Sequence, residues 1–146
     1  EPNPDPSLVE RSAIATPHIA GYGYDGKVRG TQMIYDAARK FFRRKSTWRM
    51  DDVLPPPPYP ALEIKARGRE DEDVIRDAVL TVCDIEADDA ATRKILQLPE
   101  EDRGAFFDKL RKNYPVRREF HNTKITLKGA RARLVKKLAE LGFKAG

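Results

Sequence analysis

The sequence predicts an α+β chain in which a small antiparallel or mixed sheet carries packed helices. Three patterns point to that class: a strand-like alternation at residues 62–67, three further stretches of helical apolar spacing before residue 116, and a short apolar segment at 143–145 able to close a sheet. A run of prolines, Pro55 to Pro58 followed by Tyr59 and Pro60, precedes the alternation. Such a run is extended and stiff, so it marks a boundary between residues 1–53 and a domain at 54–146. A PxxP ligand for an SH3 or WW domain is the alternative reading of the same prolines.

Residues 1–11 read as a polar loop, because Pro2, Pro4 and Pro6 remove donors and hold the backbone extended. Residues 12–15 read as a short buried strand, and 21–30 as a glycine-rich loop. From about Thr31 the spacing predicts an amphipathic helix packed through Ile34, Ala37, Ala38 and Phe41, with Arg43, Arg44 and Lys45 where a helix C-terminus favours cations. Past the prolines, Leu62, Ile64 and Ala66 alternate with Glu63, Lys65 and Arg67, the period of a half-buried strand. Asp71 is placed to cap a helix with Glu72 and Asp73 in its first turn and Ile75, Ala78, Val79 and Val82 inside. Asp88 is read as the cap of a shorter helix ending near Leu96. Pro99, followed by Glu100, Glu101 and Asp102, starts a third helix that buries Phe106, Phe107 and Leu110 and ends near Pro115. Two strands are expected at 117–120 and 123–128, joined tightly around His121 and Asn122. The last helix, about 130–141, carries Leu134, Leu138 and Leu141 on one face and stops at Gly142.

Charge and composition narrow the function classes. The formal charge of +5 is modest because 23 acidic residues are interspersed among 28 basic ones, which argues against a nucleic-acid partner. No apolar run approaches the roughly 20 residues of a membrane span, and the opening residues do not resemble a secretory signal, so a cytoplasmic protein is expected. The single cysteine, Cys83, excludes an intrachain disulfide framework and any cysteine-clustered zinc site; its apolar neighbours at helical spacing make it core filling. The chain opens without methionine, which suggests a piece of something longer. Apolar surface at Ile75, Val79, Phe106 and Phe107 exceeds what a small sheet covers, so a two-fold interface is expected.

The candidate chemistry centres on His18, set between Pro17 and the glycines that begin at Gly21. An imidazole titrates near neutral pH and can serve as both base and acid there; a structural histidine is the competing reading. Gly21, Gly23 and Gly26 spell GxGxxG, but a dinucleotide fingerprint also needs an acidic residue about 20 positions on, where Phe41 and Phe42 stand. The cluster of Lys109, Arg111, Lys112, Arg117 and Arg118 is open to two readings, structural ion pairs or contacts to a phosphate or an interface.

The string from Thr16 through Pro17, His18, Ile19, Ala20 and Gly21 to Tyr22, with Glu1-Pro2 before it and Asp25-Gly26-Lys27 and Arg29-Gly30-Thr31 after it, resembles the end of the catalytic region of the D-isomer-specific 2-hydroxyacid dehydrogenases. Asp88-Asp89-Ala90, the stretch from Phe107 to Tyr114, Arg117-Arg118-Glu119 and Leu141-Gly142-Phe143 resemble a C-terminal domain found in one member of that family. The resemblance implies that residues 1–53 are the tail of an α/β catalytic region with its returning helix, and that 54–146 are a dimerisation domain. It implies that His18 is the proton donor and acceptor, that Glu1 is the carboxylate paired with it, that backbone at Gly21 approaches NAD, and that Tyr22 touches substrate. It further implies NAD as cofactor of the complete enzyme, a homodimer, no metal, and oxidation of 4-phosphoerythronate to 2-oxo-3-hydroxy-4-phosphobutanoate in pyridoxal phosphate (vitamin B6) synthesis. The family's carboxylate-gripping arginine and phosphate-cradling loop have no counterpart in this chain, so the chain alone is expected to be inactive. A regulatory module binding a small anion is the alternative of a different class, and a basic nucleic-acid module a further one.

Overall fold

Local caps and apolar periodicity produce six helices and three strands among residues 2–146, which are the residues described by the computed structural model. In chain order these are α1 (Pro6–Arg11), α2 (Tyr24–Phe41), β1 (Ala61–Lys65), α3 (Asp71–Val82), α4 (Ile85–Arg93), α5 (Glu100–Lys112), β2 (Lys124–Lys128), α6 (Ala132–Glu140) and β3 (Lys144–Ala145). They divide into two units: the segment up to Ala20 with Val79–Pro115, and Gly21–Ala78 with Val116–Gly146.

The second unit holds the sheet, in the order β1-β2-β3. Both pairings are parallel, with Leu62 opposite Ile125 and Ile125 opposite Ala145, which corrects the expectation of an antiparallel or mixed sheet. The reason is connectivity. Helices intervene between β1 and β2, and α6 intervenes between β2 and β3; a helical crossover returns the chain to the end where the previous strand began. The expected hairpin around His121 does not form, because Phe120–Asn122 is a 3-10 turn and Arg117 makes only an isolated parallel bridge to Gly23. Ile125, Leu134, Leu138, Val74 and Ala78 are buried in this unit, and Phe143 stacks on Phe120 with centroids 4.4 Å apart. Gly142 ends α6 in the left-handed region at φ 102°, as its place after the leucines requires. Leu141, expected on the same face as Leu134 and Leu138, is exposed. Asp71 ties α3 to α6, accepting from Arg133 Nη2 at 2.9 Å and facing Lys137 Nζ at 3.4 Å.

One buried charge organises the rest of this unit. Asp25, in the first turn of α2, accepts from Arg118 Nε and Nη2, each at 2.9 Å, in a two-pronged pair. Its oxygens also accept from the Glu119 backbone N–H at 2.9 Å and from Asn122 Nδ2 at 3.1 Å. Two further Arg118 donors go to Asn122 Oδ1 and the Pro55 carbonyl, so the proline segment is tied to the same knot. At Gly23, just before α2, a β-carbon would meet the end of the Glu119 side chain, which would have to turn aside. Burial alone pushes the Asp25 carboxyl up, but the hydrogen bonds from Arg118, Glu119 and Asn122 and the Arg118 charge outweigh it and hold the group well below the usual carboxylate range.

Helix α2 starts seven residues before the expected position and runs through Gly26 and Gly30, so the predicted glycine-rich loop is helical. Its predicted packing face is also turned outward: Ile34 is 74% and Phe41 80% exposed, with Met33 and Phe42 exposed beside them.

In the first unit, α1 replaces the expected loop because Asp5 accepts the Ser7 N–H at 2.8 Å as N-cap and Pro6 occupies the first helical position. Residues 12–15 are not a strand, although Ala15 is buried. Asp84, and not Asp88, caps α4, by accepting the Ala87 N–H at 2.9 Å. Val9, Ala15 and Ile95 form a small core against which Leu96 and Phe106 pack. Phe107 is buried, and Ile75, Val79, Phe106 and Cys83 are each half-buried, so the apolar surplus expected on these helices is largely covered within the chain.

Replacing Asp25 with Asn should destabilise the chain to urea by about 3–5 kcal/mol, since it strands a buried guanidinium. The wild-type carboxyl contributes fully above its unfolded value near 3.8, and that contribution fades as pH falls further, because only the unfolded chain then takes up the proton. Stability of the wild type should therefore drop more steeply below about pH 4 than that of Asp25→Asn. Leu138→Ala should cost about 2–5 kcal/mol and Leu141→Ala within about 1 kcal/mol, by the same measurement.

Candidate functional site

His18 follows a proline, and its backbone adopts a conformation that L residues seldom take, with φ at 57°. Its N–H donates to the Thr16 carbonyl at 2.8 Å, closing a tight turn over buried Pro17. A non-glycine residue held there costs on the order of 1–2 kcal/mol. The side chain of His18 is exposed, while its neighbours Pro17 and Ile19 are buried. The turn thus sinks the flanking apolar groups and leaves the imidazole outside.

A cleft of about 290 Å³ lies beside the ring in the first unit. Leu8 and Val9 of α1, Ile14 and Ala15 of the approach segment and Phe107 of α5 supply its apolar walls, and Ser12, Thr16 and Thr92 supply hydroxyls. Thr92 is committed, donating to the Asp88 carbonyl at 2.7 Å.

The approach to His18 is anchored by α4. The Ala15 N–H donates to Asp89 Oδ1 at 2.7 Å, and Asp89 is held by Arg93 Nε at 2.9 Å, one helical turn on. Arg93 then reaches the Val9 carbonyl from Nη1 at 3.0 Å and the Ser12 carbonyl from Nη2 at 2.6 Å. The guanidinium therefore satisfies carbonyls of the segment leading to the histidine and fixes the carboxylate that holds Ala15. The hydrogen bond from Arg93, and then that from Ala15, hold the Asp89 carboxyl below its ordinary value. Sequence reasoning assigned neither Asp89 nor Arg93 a part in the site. The only available signal was an acid and an arginine four apart, which ordinarily marks a solvated helix pair.

The other expected site residues fall elsewhere. Glu1 lies outside the described residues. Gly21 and Tyr22 belong to the second unit. Gly21 has ordinary negative φ and nothing within 4 Å of where a β-carbon would stand, so no internal contact requires glycine there. Lys27 Nζ sits 3.7 Å from the centroid of the Tyr22 ring, a cation–π contact on the ring face. The GxGxxG spelling forms no phosphate cradle, because Gly26 is inside α2 and no strand precedes Gly21 among the described residues. Of the basic cluster, Arg118 is spent on Asp25, and Arg111 and Lys112 lie 3.9 and 3.7 Å from Asp108. No helix among the described residues is long and apolar enough to cross a membrane.

The sequence is similar over almost its whole length to curated dehydrogenases. The erythronate-4-phosphate dehydrogenase of Marinobacter nauticus is 37% identical over 144 residues, covering 99% of this chain and 37% of the relative. The enzymes of the same name from Shigella dysenteriae and Escherichia coli are each 37% identical over 145 residues, covering 99% of this chain and 36% of the relative. The chain thus spans a little over a third of the length of these relatives. A family model described as a domain of unknown function, DUF3410, matches residues 53–142, which takes in the whole sheet except β3 and all the helices from α3 to α6. With that match extending over more than half of its length, the chain belongs to the DUF3410 family.

Proposed function

We propose that this chain is part of an NAD-dependent dehydrogenase that oxidises 4-phosphoerythronate to its 2-oxo acid in pyridoxal phosphate synthesis, contributing the proton-transfer histidine and a dimerisation domain. The names and 37% identity of the relatives support the activity. The observation that carries the reading is His18, held in left-handed backbone with its ring exposed beside a cleft. Strained conformations of this kind persist where the surroundings over-determine them, and Asp89 and Arg93 supply that restraint to the segment before it.

In the reaction the imidazole takes the proton of the substrate hydroxyl as the carbon it sits on loses hydride, and returns it in the reverse direction. The complete enzyme would hold NAD with the Gly21 backbone close to it, and the cofactor would supply the hydride acceptor. The resemblance assigns the carboxylate partner of the protonated ring to Glu1 and a substrate contact to Tyr22. Residues 1–53 are the tail of the catalytic region and 54–146 the dimerisation domain; the start of the family match at residue 53 supports that division. The chain alone is inactive and cytoplasmic in this reading.

Joined to the remaining portion of the Marinobacter nauticus relative, the chain should reduce NAD with 4-phosphoerythronate, and His18→Asn should lower the rate by about 10²–10⁴-fold without loss of folding. Asp89→Ala should lower kcat by about tenfold with KM nearly unchanged, since it loosens the approach to the ring without touching substrate. Full activity in either variant would count against the assignment. Sedimentation of this chain at micromolar concentration should give about twice its 16.6 kDa mass, and a persistent monomer would contradict the dimerisation role.

A further inference from the structure

Beyond the last turn of α2 stand three consecutive cations, Arg43, Arg44 and Lys45, that the dehydrogenase reading leaves unused. They line a cleft of about 610 Å³ in the second unit, whose remaining walls include the rings of Tyr35 and Phe42. A helix end attracts cations in any case, but here Arg39 and Lys40 already occupy the final turn. Arg39 is also matched, with Nε 3.0 Å from Asp36. Arg43, Arg44 and Lys45 have no carboxylate within ion-pair distance among the described residues.

The backbone is shaped to hold these charges. Arg43 takes the left-handed conformation, φ 52°, at a position that glycine normally fills. Its N–H donates to the Lys40 carbonyl at 3.2 Å and that of Arg44 to the Arg39 carbonyl at 2.8 Å, which reverses the chain over the helix end. The returning segment is braced by the Thr47 N–H donating to the Tyr35 hydroxyl at 2.8 Å and by Trp48 edge-on to the Tyr35 ring, with centroids 5.6 Å apart. Phe42, on the wall of the cleft, stands at right angles to Phe41 with centroids 5.0 Å apart.

Three cations with no ion-pair partner among the described residues, around an aromatic wall, fit an anion of high charge density attached to a flat ring. We propose that this cleft binds an aromatic phosphomonoester, with the phosphate on Arg43, Arg44 and Lys45 and the ring against Phe42. Guanidinium groups meet phosphate oxygens in pairs of parallel hydrogen bonds, and a flat ring stacks on phenylalanine at little entropic cost.

Calorimetric titration of the intact chain with phenyl phosphate, inorganic phosphate and phenol tests this. Phenyl phosphate should bind saturably at one site, at least about tenfold more tightly than inorganic phosphate, with phenol undetectable. Arg43→Gly separates binding from folding, because glycine suits the left-handed backbone: the variant should melt at the wild-type temperature or above, yet bind phenyl phosphate at least about tenfold more weakly. Phe42→Ala should reduce phenyl phosphate to the affinity of inorganic phosphate, and Lys109→Ala with Lys112→Ala should leave both unchanged. Absence of saturable binding, equal affinity for the two phosphates, or equal weakening by the Lys109 and Lys112 changes would each overturn the proposal.

Discussion

The second unit depends on a carboxylate that water does not reach. Asp25 opens α2, Arg118 lies more than ninety positions later, and their two-pronged pair fastens the helix to the segment that leads into β2. A buried charge pair is usually a poor source of net stability, since desolvating both partners cancels most of the attraction. Here the hydrogen-bonding capacity is filled by Glu119, Asn122 and the Pro55 carbonyl, so the network is restrictive as well as neutral. Restriction is its structural consequence: the start of α2, the proline segment and the turn before β2 are referred to one carboxylate.

The first unit uses the same device at its surface. Asp89 and Arg93 are paired on α4, and each also binds backbone from the segment before His18. A left-handed histidine is unfavourable by itself, and such a residue persists when the chain on either side has nowhere else to go. Buried Pro17 and Ile19 restrain it from below and the α4 pair restrains its approach, which turns a short non-repetitive stretch into a defined mount for one ring.

Sequence pattern revealed the elements whose signals are local. The alternation at Leu62 to Ala66 gave β1, the acidic first turn beginning at Asp71 gave α3, and Gly142 marked the end of α6. What was hidden depended on partners far along the chain. Parallel pairing of β2 follows from helical connections, which no property of Lys124 to Lys128 encodes, and the apparent hairpin at His121 was a 3-10 turn held by contacts to Asp25. Glycines at 26 and 30 suggested a loop because their helix penalty of about 1 kcal/mol each is visible in sequence, whereas the Asp25 pair that sets the start of α2 is not. Of the site, His18 stood out by its flanking proline and glycines; Asp89 and Arg93 did not, because their value lies in backbone carbonyls that carry no sequence signature.

The fold thus presents one imidazole on a restrained turn beside a small cleft, in a chain whose curated relatives are dehydrogenases. In the proposed function this ring moves the substrate proton and is not merely part of the turn. Chemical rescue addresses it most directly: in the protein joined to the remainder of its relative, His18→Ala should be nearly inactive, and added imidazole should restore NAD reduction saturably by at least about tenfold. No recovery at any imidazole concentration, in a variant that remains folded and binds substrate, would contradict it.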